Sequence, residues 1–194
     1  MLFEEVNQLL EPGYMPIETG YYCLSNGHIH VAVLTRMPGC NGKMVDWWFE
    51  YYLDSAAYKM WYSKPPEKRK SVKRDKHGLH ISKKNIIIED PDGGDTKFRV
   101  HFHDPSEFLD VYRFKARHSG AAICANIYDF EKIPLGRTVH FVRDTDFGCE
   151  MRSRFWLFKG SEIEGRNLMH NCIEQMGDLS DLLPGLYARE VSGH

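Results

Sequence analysis

Residues 85–104 read NIIIEDPDGGDTKFRVHFHD, and this stretch decides the fold class. In its second half, Phe98, Val100 and Phe102 alternate with charged and imidazole side chains. Because successive side chains of a strand point to opposite faces, this period of two predicts a strand with one core face and one solvated face. The apolar run NIIIE precedes it, and the turn-forming PDGGD lies between the two. The stretch therefore predicts a β-hairpin.

Further β-rich runs lie on both sides of this hairpin. GYYCL and HIHVAVLTRM enclose the turn-forming SNG at residues 25–27 and predict an earlier hairpin. The later runs YRFKARH, AAICANIYDF, RTVHFVRD and EMRSRFWLF are predicted as short strands, with a turn at TDFG between the last two. The whole chain is thus predicted to form a curved antiparallel sheet of about seven strands.

Two segments have a helical period instead. Asn41 is a natural N-cap, and residues 42–62 contain no proline and place apolar side chains at helical spacing, which predicts a long buried helix. A second helix is predicted after Gly160, ending at Leu183-Pro184-Gly185. This order favours an α+β fold in which the curved sheet grips a long helix and encloses an internal cavity.

Length and composition predict one domain over residues 1–194, in which residues 1–37 hold an N-terminal segment and the first hairpin. Residues 64–80 are predicted as a basic, solvated loop. The formal net charge of -2 gives no broad positive field, so neither nucleic acid nor a membrane surface is a predicted partner. The apolar helix faces leave a homodimer open.

The five cysteines are scattered and show no C-x-x-C spacing, which argues against a disulfide scaffold and against a structural zinc site. No apolar run reaches the length of a membrane span. The N-terminal residues carry acids where a signal peptide needs a basic start. A cytoplasmic location is therefore predicted.

His170 and Glu174 are the first candidate site residues, because positions i and i+4 of a helix lie one above the other and can face one ion. The apolar stripe of the same helix runs through Cys172, Met176 and Leu179, and the pair falls well off its centre. Two interpretations stay open: a pair of solvated side chains, or half of a metal site on a helix that lines a polar pocket.

Glu89 and His140 are the other candidates. Glu89 ends the apolar run NIIIE, where a carboxylate is costly unless it is paired, bound to a cation or already in solvent. His140 lies in mid-strand on the face of Thr138 and Val142, where it is either a hydrogen-bonded core residue or a proton-transfer group. By contrast, His101 and His103 share a face with Arg99, which favours a solvated surface over a metal site.

Five stretches, in the same order along the chain, resemble the diacetylphloroglucinol (DAPG) hydrolase family. They are MVDWWFEYYLDSAAYKMWY, IIIEDPDGG, VHFHDP, TVHFVRDTDFGCEMRSRFWL and HNCIEQMGDLSDLLPGLY. The resemblance covers most of the chain from residue 38 onward. It implies a helix-grip fold, like that of the birch-pollen allergen (Bet v 1) and START domains, and a zinc-dependent cleavage of the bond between an acetyl group and a phenolic ring. It also implies that this chain is the catalytic domain alone, because fuller members of the family carry an additional N-terminal region.

The same resemblance assigns roles to individual residues. It implies that His170, Glu174 and Glu89 are zinc ligands and that His140 is a pocket histidine. The resemblance also implies a further zinc-binding histidine at the position of Tyr62. In this chain the surrounding sequence is MWYSKPP, so a tyrosine replaces that histidine. Two carboxylates and one imidazole favour harder ions than zinc, so this replacement puts zinc binding and the family's hydrolysis in question.

The sequence therefore leaves three functions open. With a metal, the protein is expected to hydrolyse a C–C bond of a phenolic or ketone natural product, with His140, Glu174 and Tyr62 as catalytic candidates. Without one, the same cavity could promote a cyclisation, elimination or cycloaddition. The third alternative is a carrier of an apolar ligand. The predicted cavity-lining aromatic residues are Trp47, Trp48, Tyr51, Tyr58, Phe155 and Trp156.

Overall fold

The computed structural model describes residues 1–52, 85–89, 97–117 and 120–191. Within these ranges the strands are β1 (Gly20–Cys23), β2 (Ile29–Pro38), β3 (Asn85–Glu89), β4 (Lys97–His103), β5 (Gly120–Tyr128), β6 (Pro134–Thr145) and β7 (Gly148–Leu157). The helices are α1 (Gly42–Trp47), α2 (Val111–Arg117) and α3 (Glu162–Val191), with a π-helical turn Trp48–Tyr52 and 3-10 segments Phe3–Leu10 and Pro105–Glu107. The predicted α+β class, with an antiparallel sheet and a C-terminal helix, is confirmed.

In the described residues the strands form one antiparallel sheet in the order β1-β2-β7-β6-β5-β4-β3. Both predicted hairpins are present, as β1–β2 and β3–β4. From β3 to β7 each strand pairs with the next along the chain, whereas β2 pairs with β7 over its whole length. The first hairpin is thereby joined to the last strand, and β1 and β3 form the two edges.

The two faces of the sheet bury different parts of the chain. The inner face, defined by Val31, Val33, Val142 and Met151, packs against α1, the π-helical turn and α3. The outer face carries Cys124, Val139, Phe141 and Trp156, which pack against Val6, Leu9 and Leu10 of the first 3-10 segment. Because side chains alternate along a strand, each central strand contributes to both cores.

α1 begins where the sequence predicts. The Asn41 side-chain oxygen accepts a hydrogen bond from the Met44 N–H at 3.0 Å, as an N-cap does. The Gly42 N–H donates to Asp144 at 2.7 Å, which attaches the start of the helix to β6. After Trp47 the helix continues as the π-helical turn Trp48–Tyr52. The later part of the predicted helix and the basic loop predicted over residues 64–80 lie outside the described residues.

The predicted strand YRFKARH is wrong, because residues 112–117 of this stretch lie in α2. Asp110 precedes the helix, and its carboxylate accepts hydrogen bonds from the N–H groups of Tyr112 and Arg113, both at 3.1 Å. This is an aspartate N-cap. The cap and the packing of Phe114 on Phe141 of the outer face, with ring centroids 5.7 Å apart, outweigh the β propensity of the aromatic residues.

The predicted end of the closing helix at Leu183-Pro184-Gly185 is also wrong, because α3 continues to Val191 with Pro184 inside it. Proline has no N–H, so the carbonyl of Ser180, four residues earlier, loses its normal helical partner. The Cys40 thiol donates to that carbonyl instead, at 3.5 Å. A tertiary contact thus satisfies the carbonyl that the proline leaves unpaired.

Among the described residues, no helix has both the length and the apolar character that a membrane crossing requires.

Candidate functional site

His140 lies on the inner face near the middle of the sheet. It stands in β6 directly opposite Ser153 of β7 and Ile123 of β5. Its Nδ1 atom is 2.8 Å from the Ser153 hydroxyl, and both side chains are buried. A hydroxyl that bonds one ring nitrogen fixes the orientation of the imidazole and directs the other nitrogen elsewhere.

Two aromatic rings flank this histidine. Phe49, from the π-helical turn, and Phe155, from β7, have ring centroids 5.5 and 5.6 Å from that of His140. Burial among these apolar groups lowers the pKa of His140 to about 4, because it disfavours the charged imidazolium. His140 is therefore neutral at pH 7 and can accept a proton from a bound reactant.

The region around His140 is buried but not completely closed. Phe155 is 8% exposed, and His140 and Phe49 are each 7% exposed. Elsewhere on the inner face, Val31 and Met151 are 0% exposed. Val100 and Phe102 of β4 are a similar 7% and 6% exposed, so the inner face is slightly less closed from β4 to His140 than around Val31 and Met151.

Thr138 adds a second polar group to the same place. It lies two residues from His140 on the inner face and pairs with Phe155. Its hydroxyl is buried, and no described residue provides a hydrogen-bond partner for it. Such an atom in an apolar surrounding requires an explanation, and a bound water or ligand supplies one.

The closing helix reaches this site through Cys172. This buried residue belongs to the inner core, and the Ser153 hydroxyl lies close enough to affect its ionisation. Burial raises the pKa of the Cys172 thiol to about 11, while Ser153 acts in the opposite direction. The thiol is therefore protonated near neutral pH and acts here as a small core side chain.

His170 and Glu174, on either side of Cys172 in the sequence, are both exposed on α3. The helical period explains this placement, because α3 packs mainly on β1 and β2 through its stripe of Cys172, Met176 and Leu179. In the described part of the chain, these two residues therefore stand on the solvent side of the helix rather than beside His140.

Glu89, the third assigned zinc ligand, ends β3 at the opposite edge of the sheet, where the backbone pairs it with Lys97. Four strands lie between β3 and β2, against which α3 packs. Over residues 1–52, 85–89, 97–117 and 120–191, no group of three His, Cys, Asp or Glu side chains could hold a metal ion. The donors described here do not fit a zinc site, and ligation by Glu89, His170 and Glu174 stays a prediction.

The aromatic residues that were predicted to line the cavity lie in different parts of the structure. Phe155 borders His140, and Trp48 is fully buried in the inner core. Tyr51 lies in the π-helical turn, whereas Tyr58 and Tyr62 lie outside the described residues. The internal cavity therefore stays a prediction.

Trp156 was predicted to line the cavity, and that prediction is wrong. It lies on the outer face, where its indole N–H donates to the Met1 carbonyl at 3.0 Å. The reason is the strand period: Phe155 and Trp156 are adjacent in β7 and must face opposite sides. Trp47, half-buried on α1, packs against Tyr187 of α3, with ring centroids 5.1 Å apart.

Sequence reasoning missed Ser153, Thr138 and Phe49 as site residues. A usable signal existed for Ser153, because Thr145 and Gly148 pair across the two-residue turn between β6 and β7. Counting outward from that pair places Ser153 opposite His140. Phe49 had no such signal, because its contact with the sheet depends on the path of the chain after α1.

A model of the family described as DAPG hydrolase PhiG domain matches residues 1–165. Among curated relatives, the 2,4-diacetylphloroglucinol hydrolase of a Pseudomonas sp is 24% identical over 79% of this chain and 56% of its own length. The phloretin hydrolase of Eubacterium ramulus is 24% identical over 97% of this chain and 78% of its own. This chain spans only about half the length of the Pseudomonas relative.

Among solved structures, a crystal structure of a protein from Rhizobium loti is similar with a TM-score of 0.46 and 15% sequence identity, and it covers 79% of this chain and 97% of that one. The family match covers far more of the chain than any one motif, and it includes both strands that hold His140 and Ser153. On this match, the chain belongs to the DAPG hydrolase PhiG domain family.

Proposed function

We propose that this protein is a hydrolase of phenolic ketones, which cleaves the C–C bond between the acyl carbon and the aromatic ring. The observation that carries the proposal is a neutral, oriented histidine between two phenylalanine rings, beside a buried hydroxyl that lacks a described partner. The two hydrolases to which the chain is similar are named for phenolic ketones, which supports the same substrate class.

The arrangement suits such a substrate. The rings of Phe49 and Phe155 would pack against the aromatic ring, since aromatic pairs are stable at centroid separations of about 4.5–7 Å. The Thr138 hydroxyl would donate a hydrogen bond to the ketone or phenol oxygen. Both contacts would hold the acyl carbon near the free ring nitrogen of His140, and orientation of this kind lowers the barrier.

In the proposed reaction, His140 handles one proton. Water adds to the ketone carbon while the free nitrogen of His140 takes a proton from that water. The C–C bond then breaks, and the imidazolium gives the proton to the ring carbon that leaves. The products are a carboxylic acid and the deacylated phenol, so the atoms of ketone and water are all accounted for. The low pKa of His140 makes its imidazolium a strong proton donor for this second step.

We also propose that the sheet, the helix that begins at Asn41 and α3 form the helix-grip arrangement with an internal cavity. Support comes from the packing of α1 and α3 on the same inner face. The family resemblance implies zinc. The proposed reaction includes no zinc-dependent step, because the described donors do not fit a zinc site. Metal analysis of the purified protein and of His170→Ala is the direct check of that assignment.

The test uses 2,4-diacetylphloroglucinol and phloretin as substrates in ¹⁸O-labelled water, with products identified by mass spectrometry. Hydrolysis predicts a carboxylic acid that carries one labelled oxygen. His140→Gln is expected to slow its release by about 10²–10⁴-fold, the usual contribution of a general acid–base group. His28→Gln, which changes a half-buried histidine at the first hairpin and away from the candidate site, is the matched control and is expected to keep the wild-type rate.

Other outcomes would contradict the proposal. Conversion without labelled acid would indicate a lyase or cyclase, and binding without conversion would indicate a carrier. Equal rates for folded His140→Gln and the wild type would remove the histidine from the mechanism. Thermal unfolding of each variant shows whether a loss of rate reflects a loss of structure.

A further inference from the structure

A second concave site lies on the outer face of the sheet, away from His140. It is a groove of about 240 Å³ formed by β4, β5 and the turn that follows β5. Its lining residues are Arg99, His101, His103, Tyr128 and Lys132. These β4 residues alternate with Val100 and Phe102, which belong to the inner core. The groove and the candidate active site are therefore on opposite faces of the same sheet.

The groove is positively charged. Arg99 contributes a guanidinium and Lys132 an ammonium group, and the lining residues that the structure describes include no acidic side chain. Two nearby acids are already engaged. The Glu107 carboxylate contacts His103 Nδ1 at 2.8 Å, and the Asp129 carboxylate accepts from the Ile133 N–H at 2.7 Å. The charged side chains among the described lining residues of the groove are thus basic.

The polar groups in the groove are held in place before any ligand arrives. His103 is fixed on both sides, by Glu107 and by Asn126, whose Nδ2 atom is 2.9 Å from the ring's Nε2. His101 stands edge to face with His103, with ring centroids 4.7 Å apart. The Arg99 guanidinium lies 5.8 Å from the centroid of the Phe130 ring. A site ordered in advance loses less conformational entropy when it binds.

Lys132 reaches the groove from an uncommon backbone conformation. Its φ of 67° makes it the sole non-glycine residue with positive φ in the described part of the chain. The turn is held by hydrogen bonds of Asp129 with Lys132 and Ile133. Glycine would adopt this conformation without strain, but it would remove the ammonium group from the groove.

We propose that this groove binds a small oxyanion, a carboxylate or a phosphate. The Arg99 guanidinium would bind two oxygens side by side, as its planar fork allows, and Lys132 would add a second charge. The half-exposed ring of Phe130, next to Arg99, would accommodate a small apolar group on the anion. A volume of about 240 Å³ is below the range of pockets for drug-sized ligands, which limits the ligand to a small molecule.

The test is calorimetric titration of the full chain with benzoate and with inorganic phosphate, and with benzamide as the neutral analogue of benzoate. Arg99→Gln and Lys132→Gly are expected to weaken binding of the anion by about tenfold or more, the effect of losing one charge-assisted contact. Lys132→Gly suits the left-handed backbone, so it is expected to fold even if Arg99→Gln does not. Lys159→Gln, which removes an exposed charge outside the groove, is the matched control and should bind like the wild type.

Competition between benzoate and phosphate distinguishes a carboxylate ligand from a phosphate ligand. Binding of benzoate alone would assign a carboxylate ligand, and binding of phosphate alone would assign a phosphate; displacement of one by the other would show a general oxyanion site. The proposal is overturned if neither anion binds at millimolar concentration, if benzamide binds as well as benzoate, or if Lys159→Gln weakens binding as much as Lys132→Gly. Each readout is independent of hydrolysis, so failure here leaves the proposed function untouched.

Discussion

The two faces of the sheet each bury a histidine, and the two sites differ. On the inner face, His140 is 7% exposed and its Nδ1 atom is 2.8 Å from the Ser153 hydroxyl. On the outer face, His30 is 1% exposed, stacks on Tyr22 at 5.1 Å, and finds no hydrogen-bond partner for either ring nitrogen in the described residues. Both histidines are therefore buried, and they differ in whether a hydrogen-bond partner orients the ring.

The two faces also differ in the charged side chains that they bury. Glu18 on the outer side accepts hydrogen bonds from Arg152, at 2.6 and 3.1 Å, and from Arg154. Both arginines are 1% exposed. Glu18, Arg152 and Arg154 together form the Glu18 cluster. The corresponding positions of the inner face are apolar or neutral. The outer face thus buries ion pairs, whereas the described inner face is packed mainly by apolar side chains.

The largest effect is expected from Glu18→Gln, which would break the charge balance of the outer face. Removing this carboxylate leaves two buried guanidinium groups without their counter-ion, and such a loss costs about 3–5 kcal/mol of unfolding free energy. Urea unfolding measures it. The control is Glu11→Gln, which breaks the exposed pair with Arg113 and should cost less than about 1 kcal/mol. Equal costs would show that the outer face does not depend on its ion pairs.

The second test uses pH, because the two histidines should destabilise the fold in acid. Burial lowers the pKa of His30 to about 3 and that of His140 to about 4, both below the ordinary 6.5. Below pH 6.5 these two histidines bind protons in the unfolded chain but not in the folded chain. The free energy of unfolding therefore falls as the pH is lowered from 6.5 toward the folded-state pKa values. At pH 5 each histidine should cost about 2 kcal/mol relative to pH 7.

Urea unfolding at pH 7 and pH 5 checks this expectation. His30→Phe and His140→Phe should each remove about one proton from the pH dependence. A pH dependence that is unchanged in both phenylalanine variants would mean that neither imidazole is desolvated.

A smaller effect is expected from Ser153→Ala, which sharpens the contrast between the two histidines by making His140 resemble His30. Loss of one hydrogen bond should cost about 1 kcal/mol of stability. Under the proposed function the turnover number should fall about tenfold, with a shifted pH profile and a similar KM, since the base loses its orientation. Ser106→Ala, which removes an exposed hydroxyl bonded to Asp104, is the control and should change neither quantity measurably. Unchanged turnover in Ser153→Ala would remove Ser153 from the mechanism.

The smallest effect is expected at Gly177 of α3, the helix that packs on the inner face, with Gly165 of the same helix as the contrasting position. Gly177 has open space around the position of an added methyl, so Gly177→Ala should stabilise the helix by about 0.5–1 kcal/mol. At Gly165 an added methyl would lie 2.6 Å from Ile29 Cγ2, and overpacking there should cost about 1–3 kcal/mol. Thermal unfolding compares the two. Destabilisation by Gly177→Ala would mean that this face of α3 packs against another surface.

The sequence predicted a structural feature correctly when the interaction behind that feature joins residues close together in the chain. The period of two predicted both hairpins, and Asn41 predicted the start of α1, because these signals act within a few residues. α2 was misjudged since the aromatic residues of YRFKARH favour strands, while the Asp110 cap was not recognised. For the site, the strand period correctly placed His140 on one face of β6 with Thr138 and Val142. The helical period put His170 and Glu174 off the apolar stripe but left both interpretations open, and the structure places the pair on the solvent side of α3.

The sequence by itself determined the α+β class, the strand periodicity and the family, because these follow from local alternation, caps and motif order. The tertiary structure alone decided that α3 runs on past Pro184, since the Cys40 thiol that satisfies Ser180 is distant in sequence. It also decided that Phe49 reaches His140 and that Arg99 and Lys132 share one groove. Such convergence depends on how strands and turns pack in space, and neither periodicity nor composition carries that information.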